Sequence, residues 1–102
     1  MHITISARHD VRVVDALRTR AHAVLDRLGR IGDRVLEGTA IFDSIAGSAW
    51  VELRLHLSGG ATVVATAEAA DHRTALELVA DKVRRQVQRA HARPLAHRHA
   101  IG

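Results

Sequence analysis

A strictly alternating run at residues 50–57 constrains this chain more than any other segment. Aliphatic side chains occupy every second position from 51 to 57, whereas Trp50 and polar or charged residues occupy the positions between them. Because successive side chains of a strand point to opposite faces, the run predicts a strand with one buried face. The glycine-rich turn at 58–60 and the β-branched residues after it predict a return strand over 61–69.

Two further strands are predicted nearer the N-terminus. Residues 2–7 alternate between isoleucine and polar residues, and residues 35–45 are rich in β-branched side chains, with Phe42 as their main anchor. A turn at 46–48 joins the latter strand to the alternating run. The last three strands therefore form an antiparallel meander, and the first strand joins it after a helical crossover.

The first helix is predicted where the apolar period lengthens to three and four residues. It starts near Asp10, follows a stripe over residues 11–28, and ends at Gly29 and Gly32. The stripe consists of Val14, Leu17, Ala21, Val24, Leu25 and Leu28.

The second helix is predicted over residues 72–92, with Asp71 as its N-cap and Pro94 as its stop. Its core side consists of Leu76, Val79, Ala80, Val83, Val87 and Ala90. The order β-α-β-β-β-α predicts an α+β fold, in which a four-stranded sheet carries both helices on one face and leaves the other face open. We expect a single domain over residues 1–93 and a flexible tail over 94–102.

Composition excludes several classes of protein. The 102 residues suffice for one domain, and the absence of cysteine excludes disulfides, thiolate metal sites and thiol catalysis. The N-terminus has no targeting signal, and no apolar run approaches the ~18 residues of a membrane helix. We therefore expect a cytoplasmic protein that does not bind membranes.

The positive charge is concentrated at the C-terminal end of the chain. The formal net charge is +4, but residues 1–71 carry −1 and residues 72–102 carry +5. On the second helix, Lys82, Arg85, Arg89 and Arg93 recur about one turn apart with no acid in the stripe. This spacing suits contacts to a phosphate backbone, although an ordinary solvated helix flank has the same pattern.

The first helix adds a weaker basic edge from Arg20 and Arg27, with Arg30 just past its predicted end. If both helices cover one face of the sheet, their exposed ridges form one composite basic surface.

Other candidate sites are weak. His91, His97 and His99 form the densest histidine group, but they lack acidic or thiolate partners, so we expect no metal site. No nucleophile motif or phosphate-binding loop is present, which argues against an enzyme, a cofactor or a small-molecule substrate. A single aromatic residue, Trp50, does not form a stacking platform for bases. We expect Trp50 to cover the outer face of the sheet or to contact another protein.

Residues 3–8, 15–28 and 57–87 together resemble the ribosome hibernation-promoting factor family, also called the ribosome-associated inhibitor A or sigma-54 modulation protein family. The segment Asp81-Lys82-Val83-Arg84-Arg85-Gln86 is the most specific part of the resemblance. Two positions depart from the family pattern. Arg73 stands where an aromatic residue is frequent, and Val24 stands where some members have a basic residue. Without a linker and C-terminal dimerisation domain, the chain is similar to the short form.

The resemblance implies a non-enzymatic protein with a fold similar to double-stranded RNA-binding domains. Family members bind the small ribosomal subunit in the channel between head and body, where they exclude mRNA and tRNA and preserve idle ribosomes. By position, the resemblance implies contacts to 16S rRNA from Arg8, Arg27, Lys82, Arg85 and Arg89.

Two alternatives stay open at the level of sequence. One is a general structured-RNA binder that uses the same basic face away from the ribosome. The other is a protein-interaction or dimerisation module built on Trp50 and the open sheet face, and this face permits weak self-association under either hypothesis.

Overall fold

The computed structural model describes residues 1–31 and 35–101, with the backbone alone for residues 90–101. Its elements confirm the predicted β-α-β-β-β-α order. They are β1 (His2–Ala7), α1 (Asp15–Ile31), β2 (Val35–Ile45), β3 (Ser48–Leu57), β4 (Thr62–Ala69) and α2 (His72–Ile101).

One four-stranded sheet has the order β1-β2-β3-β4, with β1 parallel to β2 and the other neighbours antiparallel. The two hairpins close tightly because their turn residues adopt positive φ. Ala46 and Gly47 have φ of 50° and 82°, and Gly59 and Gly60 have 93° and 97°. The predicted meander and the predicted addition of the first strand are therefore confirmed.

Both helices pack on the same face of the sheet, α1 over β1 and β2 and α2 over β3 and β4. Val51, Leu53 and Leu55 of β3 and the predicted anchor Phe42 lie fully buried in this core, and Leu57 is partly buried against it. Neither of the two helices described over residues 1–31 and 35–101 lies on the other sheet face, as predicted. The largest fully buried side chains are Phe42, Leu25, Leu53, Leu55, Leu76, Val51, Val79, Val83 and Val87.

The predicted start of α1 is wrong, and so is Gly29 as a stop, whereas the helix ends at Ile31, directly before the second predicted stop, Gly32. The helix begins at Asp15 because His9 and Asp10 adopt positive φ of 53° and 59° in the connection from β1. Val14 therefore precedes the helix and is 54% exposed instead of joining the apolar stripe. At the other end, the helix continues through Gly29, where a Cβ would lie 3.1 Å from the Met1 Cε atom.

The predicted end of α2 is also wrong, because the helix continues past Pro94 to Ile101. A proline removes one backbone donor from a helix, and the bias against helix before proline is a preference that a long helix can override. The flexible tail over 94–102 stays a prediction. The side chains of residues 90–102, including those of Arg93 and the three C-terminal histidines, lie outside the described residues.

Candidate nucleic-acid interface

The start of α2 is fixed by the predicted cap. Asp71 accepts hydrogen bonds from the backbone N–H of Thr74 at 2.8 Å and from its hydroxyl at 2.9 Å. These bonds favour the charged carboxylate and lower the pKa of Asp71. The cap sets where the basic residues of α2 lie relative to the sheet and to α1.

The predicted cations Lys82, Arg85 and Arg89, here called the flank cations, are all exposed. Lys82 lies on the side of α2 that borders β4, where its Nζ donates to the backbone oxygen of Thr66 at 2.8 Å. Since β4 is an edge strand, Lys82 engages a backbone group at the border of the sheet.

An acid beside the flank cations pairs with one of them, which the stripe pattern did not predict. The Asp81 carboxylate binds Arg84 at 2.5 Å and Arg85 at 2.7 Å. The hydrogen bond from Arg84 is the main cause that lowers the pKa of Asp81. The guanidinium of Arg85 is thus partly neutralised by a carboxylate one turn earlier on the same helix.

The two helices adjoin, but the residues of α2 that face α1 are not the predicted flank cations. Arg27 of α1 and Arg84 of α2 line one groove, whereas Lys82 borders β4. Two positions on a helix differ by about 200°, so Lys82 and Arg84 face opposite flanks. This interhelical groove is lined by Val24, Arg27, Leu28, Ile31, Glu77, Ala80, Asp81 and Arg84.

Cations from both helices converge on Glu77. The Arg20 Nε atom donates to the Glu77 carboxylate at 2.5 Å, and this bond raises the pKa of Arg20. The pKa of Glu77 is lowered, first by the bond from Arg20 and then by the charges of Arg73 and Arg27. Sequence reasoning missed Arg73 and Arg84, although their separation by eleven residues, close to three turns, was a usable signal that they share a helix side.

The remaining predicted cations lie away from the groove. Arg30 binds Asp26 at 2.6 Å and remains 78% exposed on the outer surface of α1. Arg8 follows β1, where its backbone N–H donates to the oxygen of Phe42 at 2.9 Å and its side chain is exposed.

A buried carboxylate that sequence reasoning missed holds the loop after Arg8. Asp43 is 4% exposed, and its Oδ1 atom accepts from His9 Nδ1 at 2.7 Å and from the Ser44 N–H at 2.8 Å. Its backbone oxygen accepts from His72 Nε2 at 2.7 Å. The bond from His9 is the main cause that lowers the pKa of Asp43, and the charge of Arg8 contributes.

The open sheet face has the opposite charge. By strand register this face carries four carboxylates, one arginine and two histidines, and Arg54 binds Glu52 at 2.7 Å. The residues are Glu37, Asp43, Glu52, Glu68, Arg54, His2 and His56. Trp50 is half-buried beside them, as its alternation with the core positions predicted. Its proposed role in contacts with a partner stays a prediction, as does self-association.

Within residues 1–31 and 35–89, no group of three or more potential ligands is placed to hold a metal ion. The helices that the structure describes include none long and apolar enough to cross a membrane.

The structure is a small α+β domain with exposed cations on its helical side. Residues 3–94 match the model of the sigma 54 modulation protein / S30EA ribosomal protein family, and the chain belongs to that family.

A relative and two solved structures agree with this assignment. The chain is 39% identical over 87 residues to the ribosome hibernation promoting factor of Azotobacter vinelandii, covering 85% of this chain and 79% of the relative. The Protein Y N-terminal domain of Thermus thermophilus is 29% identical with a TM-score of 0.76, covering 87% of this chain and 98% of that one. A ribosomal subunit interface protein from Coxiella burnetii is 26% identical with a TM-score of 0.78, covering 90% and 99%. The predicted family and fold are therefore confirmed.

Proposed function

We propose that this protein is a ribosome hibernation factor that binds 16S rRNA in the mRNA and tRNA channel of the small subunit and blocks translation by occupying it. The observation that carries the proposal is the placement of exposed cations on the helical side of a domain that belongs to this family. Its relatives carry the names ribosome hibernation promoting factor and ribosomal subunit interface protein. Binding to the ribosome would place the protein in the cytoplasm.

The charge distribution supports binding through the helices. The flank cations and the interhelical groove lie on the helical side, whereas the open sheet face carries more carboxylates than bases. A polyanion is attracted to the first side and repelled from the second. The family relationship likewise supports binding rather than catalysis.

Co-sedimentation of the protein with purified small subunits at moderate salt tests the proposal. We expect binding that saturates at one copy per subunit and that prevents later loading of mRNA and initiator tRNA. Failure to sediment with subunits at low salt would refute ribosome binding. Comparable affinity for an arbitrary RNA duplex would favour a general structured-RNA binder instead.

Charge reversal of the flank cations tests the site. We expect Lys82→Glu, Arg85→Glu and Arg89→Glu together to weaken subunit binding by about 100-fold or more and to reduce the slope of log affinity against log salt by about 2. Arg18→Glu is the control, because Arg18 is an exposed cation of α1 that does not line the interhelical groove. Wild-type affinity in the triple variant would show that these residues were assigned wrongly.

A further inference from the structure

A second basic depression lies at the end of the helix pair that is nearer to the start of α2. It encloses about 330 Å³, within the roughly 300–1,000 Å³ of small-ligand sites. Three segments that are distant in the chain meet there: the connection before α1, the first turns of α1, and the start of α2. The lining residues are Arg12, Val14, Ala16, Leu17, Arg20, Asp71, His72 and Arg73.

Three guanidinium groups share this depression with one carboxylate, Asp71. Asp71 is bonded to Thr74 as the cap of α2, and the carboxylate that binds Arg20 belongs to Glu77. Within residues 1–31 and 35–89, Arg12 and Arg73 form no ion pair. The three guanidinium charges therefore exceed the two carboxylate charges of Asp71 and Glu77, and the depression keeps a net positive charge.

An ion pair restrains the Arg20 side chain at this depression. Its Nε atom donates to Glu77 at 2.5 Å, and its side chain is 32% exposed. A guanidinium has five N–H donors, so the terminal nitrogens of Arg20 remain available to a ligand. Because the ion pair already fixes the side chain, less rotamer freedom is lost when an anion binds.

One wall of the depression is apolar. Val14 is 54% exposed because it precedes α1, and Leu17 lies beside it, half-buried. Arginines alone would suit any small anion, whereas arginines beside an exposed aliphatic wall suit a phosphate that is attached to a flat apolar group. A nucleotide combines these two parts.

We propose that this depression binds one nucleotide unit, with its phosphate held by Arg12, Arg20 and Arg73 and its base lying against Val14 and Leu17. The inference rests on the proposed function for the source of the nucleotide, an unpaired residue of ribosomal RNA. A free nucleotide has the same chemistry and is the other source to be tested.

Two measurements on the full chain test the proposal. The first is the affinity of Arg12→Ala/Arg73→Ala for small subunits as a function of salt. We expect about a 10-fold or greater loss and a slope reduced by about 1 to 2, because up to two phosphate contacts disappear. Arg18→Ala is the matched control, since it removes an exposed cation that does not line the depression.

The second measurement is titration of the protein with AMP and with inorganic phosphate, followed by NMR of the arginine Nε–Hε groups. Saturable shifts of Arg12 and Arg73 with AMP, weaker with phosphate and lost in Leu17→Asp, would support a site for free nucleotides. Loss of subunit affinity in the double variant without AMP binding would support a subsite for RNA. Unaltered folding of the variants is checked by their thermal unfolding.

The outcomes separate this inference from the proposed function. If the wild-type protein binds subunits and the double variant binds them equally well, and AMP shifts neither arginine, the nucleotide site is refuted while the proposed function stands. If the wild-type protein does not bind subunits, the proposed function fails, and the AMP titration alone decides the nucleotide site.

Discussion

At the scale of single residues, Asp43 links three segments that are distant in the chain. Its carboxylate holds His9 in the connection after β1, and its backbone oxygen holds His72 at the start of α2. The His72 ring also meets the Phe42 ring edge-on, with centroids 5.8 Å apart. The loop that carries Arg8 and the first turn of α2 that carries Arg73 are thereby fixed to the same end of β2.

Asp43→Asn is expected to lower the melting temperature at pH 7 by about 5 °C, because the buried carboxylate loses charge-assisted hydrogen bonds. The folded-state pKa of Asp43 is lowered, so its contribution to stability is present above the unfolded-state pKa of about 3.9 and is lost as pH falls through the folded value. The difference between wild type and variant should therefore shrink when thermal unfolding is measured by circular dichroism from pH 7 down to pH 3.

Glu68→Gln is the control for this experiment, because Glu68 is exposed and forms no ion pair in the part of the chain that the structure describes. It should leave the melting temperature nearly unchanged at every pH. A constant difference between wild type and Asp43→Asn across the range would contradict the role of the Asp43 charge.

Local signals predicted some of these residue contacts and not others. The cap at Asp71 was predictable because its partner Thr74 is three residues away and the pattern is local. The contact of His9 with Asp43 spans 34 residues and exists only because β1 and β2 pair in parallel. A single sequence contains no periodicity that reports such a pairing.

At the scale of elements, two glycines differ in whether their neighbours could make room for an added Cβ atom. Gly29 lies within α1, where an added Cβ would meet only the flexible end of the Met1 side chain at 3.1 Å, and Met1 is 48% exposed. Gly38 lies in β2 beneath α1, where the Cβ would meet Leu25 at 3.1 Å and Leu55 at 3.2 Å, both fully buried. The sequence predicts a helix end at Gly29 because glycine often follows helices, and it contains no signal for the packing of Gly29 against Met1.

Gly29→Ala is expected to stabilise the protein by up to about 1 kcal/mol, because alanine favours the helix and Met1 can move aside. Gly38→Ala is expected to destabilise it by about 1–3 kcal/mol, because two packed leucines cannot move without disturbing the core. Urea unfolding of the two variants and the wild type gives both free energies. Equal stability of Gly38→Ala and wild type would mean that α1 does not pack closely against β2 at Gly38.

At the scale of the whole molecule, the charge is divided between two sides. The split of the sequence near residue 71 predicted a basic second helix, and the alternation of β3 predicted which residues face away from the helices. The sequence did not predict which flank of α2 adjoins α1, because this depends on how both helices pack on the sheet. Arg84, and not Lys82, therefore faces α1.

Asp81 reduces the positive charge of the helical side, because its carboxylate neutralises part of the charge of Arg84 and Arg85. Asp81→Asn should release both guanidiniums for phosphate contacts, so affinity for small subunits or RNA should rise about 3- to 10-fold at low salt, with a salt slope steeper by about 1. Binding measured by fluorescence anisotropy across a salt series checks both values.

Glu68→Gln makes the same change in net charge on the opposite side of the molecule, because Glu68 pairs with Trp50 on the open sheet face. If the polyanion contacts the helical side, this variant should increase affinity by less than Asp81→Asn and should leave the salt slope unchanged. An equal gain from both variants would mean that net charge alone governs binding. A larger gain from Glu68→Gln would place the polyanion on the open sheet face and overturn the orientation proposed for the domain.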